Sequence, residues 1–201
     1  MNILALSPHT DDAELGAGGT LARFVEEGHT VSVVAFSMGN DKTGALKSEF
    51  EAAMKALDIQ HHGLFDFPTR RFPECRQEIL GQLVKLYDDL KPDLVLVPST
   101  ADRHQDHGVI TAEAIRAARY APVSILGYSI TCSHILPVEL CYYVRLEQHH
   151  LDAKLSAIGC YQTQHGKPYT RGDYVCSLAR VYGAPIGVKF AEAFEALRWI
   201  R

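Results

Sequence analysis

The run Ser7-Pro8-His9-Thr10-Asp11-Asp12-Ala13-Glu14 sets one imidazole and three carboxylates almost side by side. Carboxylates this close repel one another unless a cation sits among them or some stay protonated. A divalent metal is the simplest physical reason to keep such a cluster. A second polar group, Asp102-Arg103-His104-Gln105-Asp106-His107, lies far downstream and adds two more imidazoles. Two imidazoles with one carboxylate make a catalytic zinc site of three protein ligands, the fourth position being left to water. His9, Asp12 and His107 are the candidate ligands. Zinc is the expected metal, although iron or another divalent ion suits the same donor set.

Asp11 cannot easily turn toward the same ion as its neighbour, and is the candidate general base beside the metal's water. His104 is the candidate to polarise a substrate carbonyl and stabilise the oxyanion. Asp106 is then the carboxylate expected to hold that imidazole in one tautomer. Glu14 has two readings, a first-turn acid favoured by the helix dipole or a contact toward the ligands or substrate.

These clusters need elements to carry them. Asn2–Ser7 reads as a buried strand and Asp12–Glu27 as a helix stopped by Gly28. The β-branched run Thr30–Ser37 predicts a second strand, and the apolar spacing of Leu46–Leu57 a helix. A short strand is expected over Gly63–Phe67 and a helix over Arg76–Leu90. Leu94–Pro98 reads as an apolar strand and His107–Tyr120 as a helix. The last third reads as strands at Ser124–Tyr128 and Leu140–Leu146, helices at Gln148–Tyr161 and Arg171–Tyr182, and a closing element at Ala191–Ile200.

This alternation predicts an α/β, Rossmann-like fold: a mostly parallel sheet with helices on both faces and a C-terminal α+β elaboration, as one domain over 1–201. In a doubly wound sheet the loop after the first strand and the loop after the crossover strand open onto one crevice. The two polar clusters would meet there. Gly16, Gly18 and Gly19 suit close backbone packing but lack the spacing of a dinucleotide fingerprint.

The formal net charge of −4 and the absence of a Lys/Arg block give no footprint for nucleic acid. Apolar runs fall far short of a membrane span, and no secretory leader is visible, so a soluble, cytoplasmic protein is expected. Five scattered cysteines predict buried free thiols rather than a disulfide framework. The adjacent pairs His61-His62 and His149-His150 read as surface residues. The aromatic residues of the last third read as core, with Trp199 open between core and sugar stacking. A homo-oligomer is compatible with the sequence.

Ser7 to Glu14, together with His104-Gln105-Asp106-His107, resembles the PIG-L/LmbE-type family of zinc-dependent de-N-acetylases, whose signatures are H-P-D-D-x-E and H-P-D-H. The resemblance implies hydrolysis of an acetamide on an amino sugar or sugar conjugate, often of the N-acetylglucosamine type. It assigns the metal to His9, Asp12 and His107, the base role to Asp11, and carbonyl contact to His104 with Asp106 as its orienter. Ala191-Glu192-Ala193-Phe194 also resembles a segment that recurs near the family's C-terminus. Thr10 and Gln105 replace both family prolines. The family's substrate-binding arginine has no direct counterpart, and Lys47, Arg70 and Arg71 are the candidates to replace it. The alternatives are the same machinery acting on another N-acyl small molecule, or a nucleotide-binding Rossmann protein without hydrolysis. The latter is disfavoured because carboxylates stand where a phosphate needs backbone donors.

Overall fold

The structure, a computed structural model, describes residues 1–39, 41, 43–130 and 138–200. Seven strands of the described residues form one mixed sheet: β1 (Asn2–His9), β2 (Thr30–Ser37), β3 (His61–Leu64), β4 (Leu94–Pro98), β5 (Ser124–Tyr128), β6 (Tyr142–Leu146) and β7 (Phe190–Arg198). Their order is β3-β2-β1-β4-β5-β7-β6, parallel from β3 to β5, with β7 antiparallel to both its neighbours. Among the described residues six α-helices complete the α/β fold: α1 (Asp12–Glu26), α2 (Ala45–Ala56), α3 (Arg76–Leu90), α4 (Gln105–Ala117), α5 (Gln148–Gly159) and α6 (Gly172–Gly183).

The strand sequences explain why both faces are covered. Along β1, Ile3 and Ala5 enter one apolar core with α1, α2, α5 and α6, while Leu4 and Leu6 enter a second with α3 and α4. Side chains of a strand alternate between faces, so an uninterrupted apolar strand demands two layers of helices. Right-handed crossovers place α1 and α2 on one face; the chain then passes to the other face with α3 before laying β4 beside β1. Ile3 pairs with Leu94 and Ala5 with Leu96, so the ends of β1 and β4 flank a topological switch point.

Several boundaries differ from the sequence expectation, each for a local reason. The helix expected from His107 starts at Gln105, because the His104 ring caps it by accepting the Asp106 N–H at 3.2 Å. Gln105 thereby occupies the first helical position, where proline costs nothing, which accounts for the interchange of the two residues there. The third strand runs over His61–Leu64 rather than Gly63–Phe67; Phe65 and Phe67 still donate to Ala35 and Phe36 of β2, but beyond regular pairing.

β7 ties the last third to both site-bearing segments. Glu195 accepts from the Ser99 hydroxyl at 2.9 Å and the Thr100 N–H at 2.8 Å, holding the loop that follows β4. Glu192 accepts from the Gly19 and Thr20 N–H groups of α1 at 3.0 and 2.6 Å. The Lys154 ammonium completes that contact, reaching Glu192 at 2.6 Å and the Leu15 carbonyl at 2.8 Å. A helix interior normally hides its backbone behind side chains; Gly16, Gly18 and Gly19 leave it open here. A Cβ at Gly16 would lie 2.1 Å from the Tyr128 ring, and one at Gly19 2.5 Å from Leu146.

Of the cysteines, Cys141 is exposed and Cys75, Cys160 and Cys176 are half-buried free thiols, less buried than expected because they sit on helix flanks and a strand approach; Cys132 lies outside the described residues. Among the described residues no helix is long and apolar enough to cross a membrane.

Candidate active site

The chain reaches the site from the end of β1. His9 is the last residue of that strand, and Asp11 is the N-cap of α1. Asp11 makes no side-chain capping bond; Ser7 Oγ accepts the Ala13 N–H instead, at 3.0 Å. The Asp11 carboxylate is thus left for the cleft. Asp12 opens the helix and accepts the His9 N–H at 2.8 Å. Acids at this end are favoured by the partial positive charge of the helix N-terminus.

Three donor atoms converge. His9 Nδ1 lies 3.0 Å from Asp12 Oδ2, His107 Nε2 lies 3.2 Å from the same oxygen, and the two ring nitrogens are 3.3 Å apart. Ligands bound tetrahedrally at zinc distances of about 2.0–2.1 Å sit about 3.3 Å from one another, so the triangle has the size of one face of such a site. The outer nitrogens agree. His9 Nε2 is 3.1 Å from Asp106 Oδ2, and His107 Nδ1 is 2.8 Å from Asp102 Oδ2. Each carboxylate accepts the ring proton on its side, so the inward nitrogen is the one that offers a lone pair once its own proton leaves. The donor set fits a divalent metal. One ring nitrogen of His104 also lies within 4.8 Å of those of His9 and His107.

Two placements differ from the sequence reading. Asp106 Oδ2 stands 4.0 Å from the His104 ring but hydrogen-bonds to His9, so Asp106 orients His9 rather than His104. Asp102, which the sequence reading left without a role, backs His107 and accepts the His104 N–H at 2.8 Å. No motif spacing marks it. Its partner lies five residues on, across an irregular loop.

The electrostatics follow from burial and crowding. Burial opposes a charge on His9, yet Asp12 and Asp106 together outweigh it and raise the imidazole to about 9. His107 rises to about 10 by the same contest, with Asp12 and Asp102 prevailing over burial. Asp12 is held well below the usual carboxylate range, the two imidazoles overcoming its desolvation. Asp11 moves the other way, to about 6, through burial and the Asp12 charge. His104 is lowered by burial and by its neighbouring imidazoles.

These residues line a cleft of about 290 Å³. His9, Asp11, Asp12, His104 and His107 form one wall; Thr69, Arg70, Gln164 and Lys167 contribute polar groups elsewhere. Arg70 holds a left-handed backbone (φ 66°), a strained conformation for a non-glycine residue. Its N–H donates to Asp106 Oδ2 at 2.6 Å, which fixes that turn beside His9. Lys167, on the segment between α5 and α6, is a cleft cation absent from the sequence reading.

Other candidates fall outside the cleft. Lys47 is exposed and absent from its walls, and Arg71 is exposed and paired with Glu74. Glu14 is fully buried beneath the loop, where Tyr161 Oη lies 2.6 Å from its Oε1, so it does not reach substrate. Burial raises Glu14 to about 8. Tyr161 Oη also bonds the Thr10 carbonyl, and a single hydroxyl proton cannot serve both partners. A protonated Glu14 donating to Tyr161 resolves the pair. Trp199 stacks on Tyr142 away from the cleft, with ring centroids 4.9 Å apart. His149 and His150, at the start of α5, are not both surface residues: His150 is 4% exposed, and both imidazoles close on Glu26 at the end of α1.

Comparison with known proteins gives concordant results. Uncharacterized deacetylase YaiS of Escherichia coli is 29% identical over 166 residues, spanning 78% of this chain and 88% of its own. Diacetylchitobiose deacetylase of Thermococcus kodakarensis is 24% identical, with 96% of this chain and 82% of that protein aligned. The crystal structure of the conserved protein TT1542 from Thermus thermophilus superposes with a TM-score of 0.82 at 26% identity, over 100% of this chain and 96% of that one. The family model for PIG-L, GlcNAc-PI de-N-acetylase, matches residues 4–119, a span that begins in β1 and ends beyond α4 and so includes both polar clusters. The chain belongs to the PIG-L family.

Proposed function

We propose that this protein is a metal-dependent hydrolase that removes the N-acetyl group from an amino sugar or sugar conjugate of the N-acetylglucosamine type, with zinc as the metal. The observation that carries the reading is the inward-facing set of His9 Nδ1, His107 Nε2 and Asp12 Oδ2, with Asp11 and His104 lining the same cleft. Held by those three residues, the metal would lower the pKa of water and polarise a carbonyl oxygen.

The chain's own groups supply the rest. Asp11, raised to about 6, is ionised at neutral pH and basic enough to take a proton from the attacking water. The proton it accepts is then available to the departing amine nitrogen, so one carboxyl serves as base and acid. His104 Nδ1 accepts a backbone N–H, which leaves the ring proton on Nε2. With its pKa lowered, His104 is a neutral donor toward the carbonyl oxygen as negative charge grows there. Arg70, Thr69, Gln164 and Lys167 offer the polar contacts that sugar hydroxyls need, and Arg70 takes the place of the family's arginine.

The test is amine release from a panel of N-acetylated sugars, nucleotide sugars, glycoconjugates and non-sugar amides, with and without chelator. Chelator-sensitive release from amino-sugar substrates is expected, abolished in Asp11→Asn although that variant still binds metal. Turnover confined to non-sugar amides would replace the substrate class. Metal-independent turnover would overturn the mechanism.

A further inference from the structure

A second cavity, of about 30 Å³, lies behind the cleft and shares Leu15, Ile130 and Tyr169 with it. Val175, Leu178 and Ala179 of α6 form much of its far side. The lining is predominantly apolar, and its charged members, Lys154 and Glu192, are spent on each other and on the α1 backbone. A volume of this size holds about two waters or a short hydrocarbon extension.

The polarity of the cleft orients a bound amide. Its carbonyl must face His104 and the ligand triangle. Its hydroxyl-rich sugar matches the polar groups of Thr69, Arg70 and Gln164. The carbonyl's carbon substituent is left to the side that holds Leu15, Ile130 and the ring of Tyr169, with Lys167 at its edge, the ammonium 5.5 Å from the Tyr169 centroid. Leu15 stands one helical turn after Asp11, so that side adjoins the base directly. Beyond the same three residues lies the apolar cavity.

We infer that this cavity is an acyl subsite, and that the protein accepts N-acyl groups longer than acetyl, with propionyl and butyryl tails passing between Leu15, Ile130 and Tyr169 toward α6. This inference rests on the proposed amide hydrolysis for the orientation of the substrate. The tail then gains contact with Val175, Leu178 and Ala179 that an acetyl methyl does not reach.

Two measurements on the zinc-loaded protein test it. The first is turnover of N-acetyl-, N-propionyl- and N-butyryl-glucosamine. The second is binding of the free product acids, acetate against butyrate, which does not depend on knowing the sugar. Two buried methylene groups are expected to favour butyrate by about tenfold. Ala179→Leu fills the cavity, and the butyrate-to-acetate ratio should fall toward one; Leu178→Phe narrows the same wall and provides a second variant should the first fold poorly. Equal binding of the two acids, or an advantage that survives both fillings, would overturn the subsite. Turnover of the acetyl sugar without any butyryl turnover or butyrate preference sinks the subsite and leaves the deacetylase reading standing. A butyrate preference without turnover of any sugar amide does the reverse.

Discussion

Asp106 joins His9 to Arg70: a single oxygen, Oδ2, lies 3.1 Å from His9 Nε2 and 2.6 Å from the Arg70 N–H, while Oδ1 accepts from Phe72 at 3.2 Å. The carboxylate therefore sets the proton position on His9, a proposed metal ligand, and fixes the turn that brings Arg70 to the cleft. Asp102 does the corresponding work for His107 and the His104 backbone. The proposed ligands and the cleft residues Arg70 and His104 share the same supports.

Replacing either support should weaken the metal more than the fold. Asp106→Asn and Asp102→Asn keep the size of the side chain but remove the charge that holds the ring proton. A loss of about 10–100-fold in metal affinity is expected for each, read by competition with a chromophoric chelator, with melting temperature as the control. Unchanged affinity in both variants would show that the ring orientations are set by packing alone.

Metal uptake should expel protons. Without metal, His9 at about 9 and His107 at about 10 are both charged at pH 7, yet each must offer a lone pair to a metal. The raised values mean that the proton-bound, metal-free form is favoured below them, so affinity falls on acidification and rises toward pH 9. With about two protons released per ion, affinity should change about a hundredfold per pH unit between pH 6 and 8. Calorimetry in buffers of different ionisation enthalpy counts the protons; a count near zero would place the metal on other residues.

The parallel half of the sheet was legible in the sequence because its signals are local. Thr30–Ser37, Arg76–Leu90, Leu94–Pro98 and Ser124–Tyr128 have the expected bounds, each set by an apolar run and a nearby breaker. The meeting of the two clusters followed from topology, since a doubly wound order lays β4 against β1. What stayed hidden depends on contacts between distant segments. Lys167 enters the cleft from the segment between α5 and α6, and Asp102 is one acid among several until the fold turns it to His107. Glu192 was visible only as part of a resembling segment. Its partners at Gly19 and Thr20 lie more than 170 residues away.

That buried pair gives a stability prediction. Lys154 and Glu192 are only 5% and 3% exposed. Glu192→Ala strands the ammonium and removes the acceptor for two α1 amides, and should cost about 3–5 kcal/mol. The double variant Lys154→Met/Glu192→Leu removes both charges and should be clearly less destabilised than Glu192→Ala alone. Denaturant melts of Lys154→Met, Glu192→Leu and the double decide it; strict additivity would mean that the charges do not act as a pair.

Gly16 supplies a test in which two physical effects oppose each other. On helix propensity alone, Gly16→Ala within α1 should stabilise by about 1 kcal/mol. The new Cβ, however, would fall 2.1 Å from Cδ2 and 2.7 Å from Cγ of the Tyr128 ring. That ring is fully buried on β5 and anchored by its hydroxyl to the Leu6 carbonyl at 2.9 Å, so it cannot swing aside without losing the bond. Overpacking of this kind costs about 1–3 kcal/mol or more, and the net change should be destabilising. Because α1 would have to move away from β5, and α1 carries Asp11 and Asp12 in its first turn, metal affinity should fall along with the melting temperature. Pairing Gly16→Ala with Tyr128→Leu should restore part of both, since the smaller side chain makes room for the methyl. If the single variant instead melts higher than the parent, α1 does not press on the Tyr128 ring as closely as this packing requires.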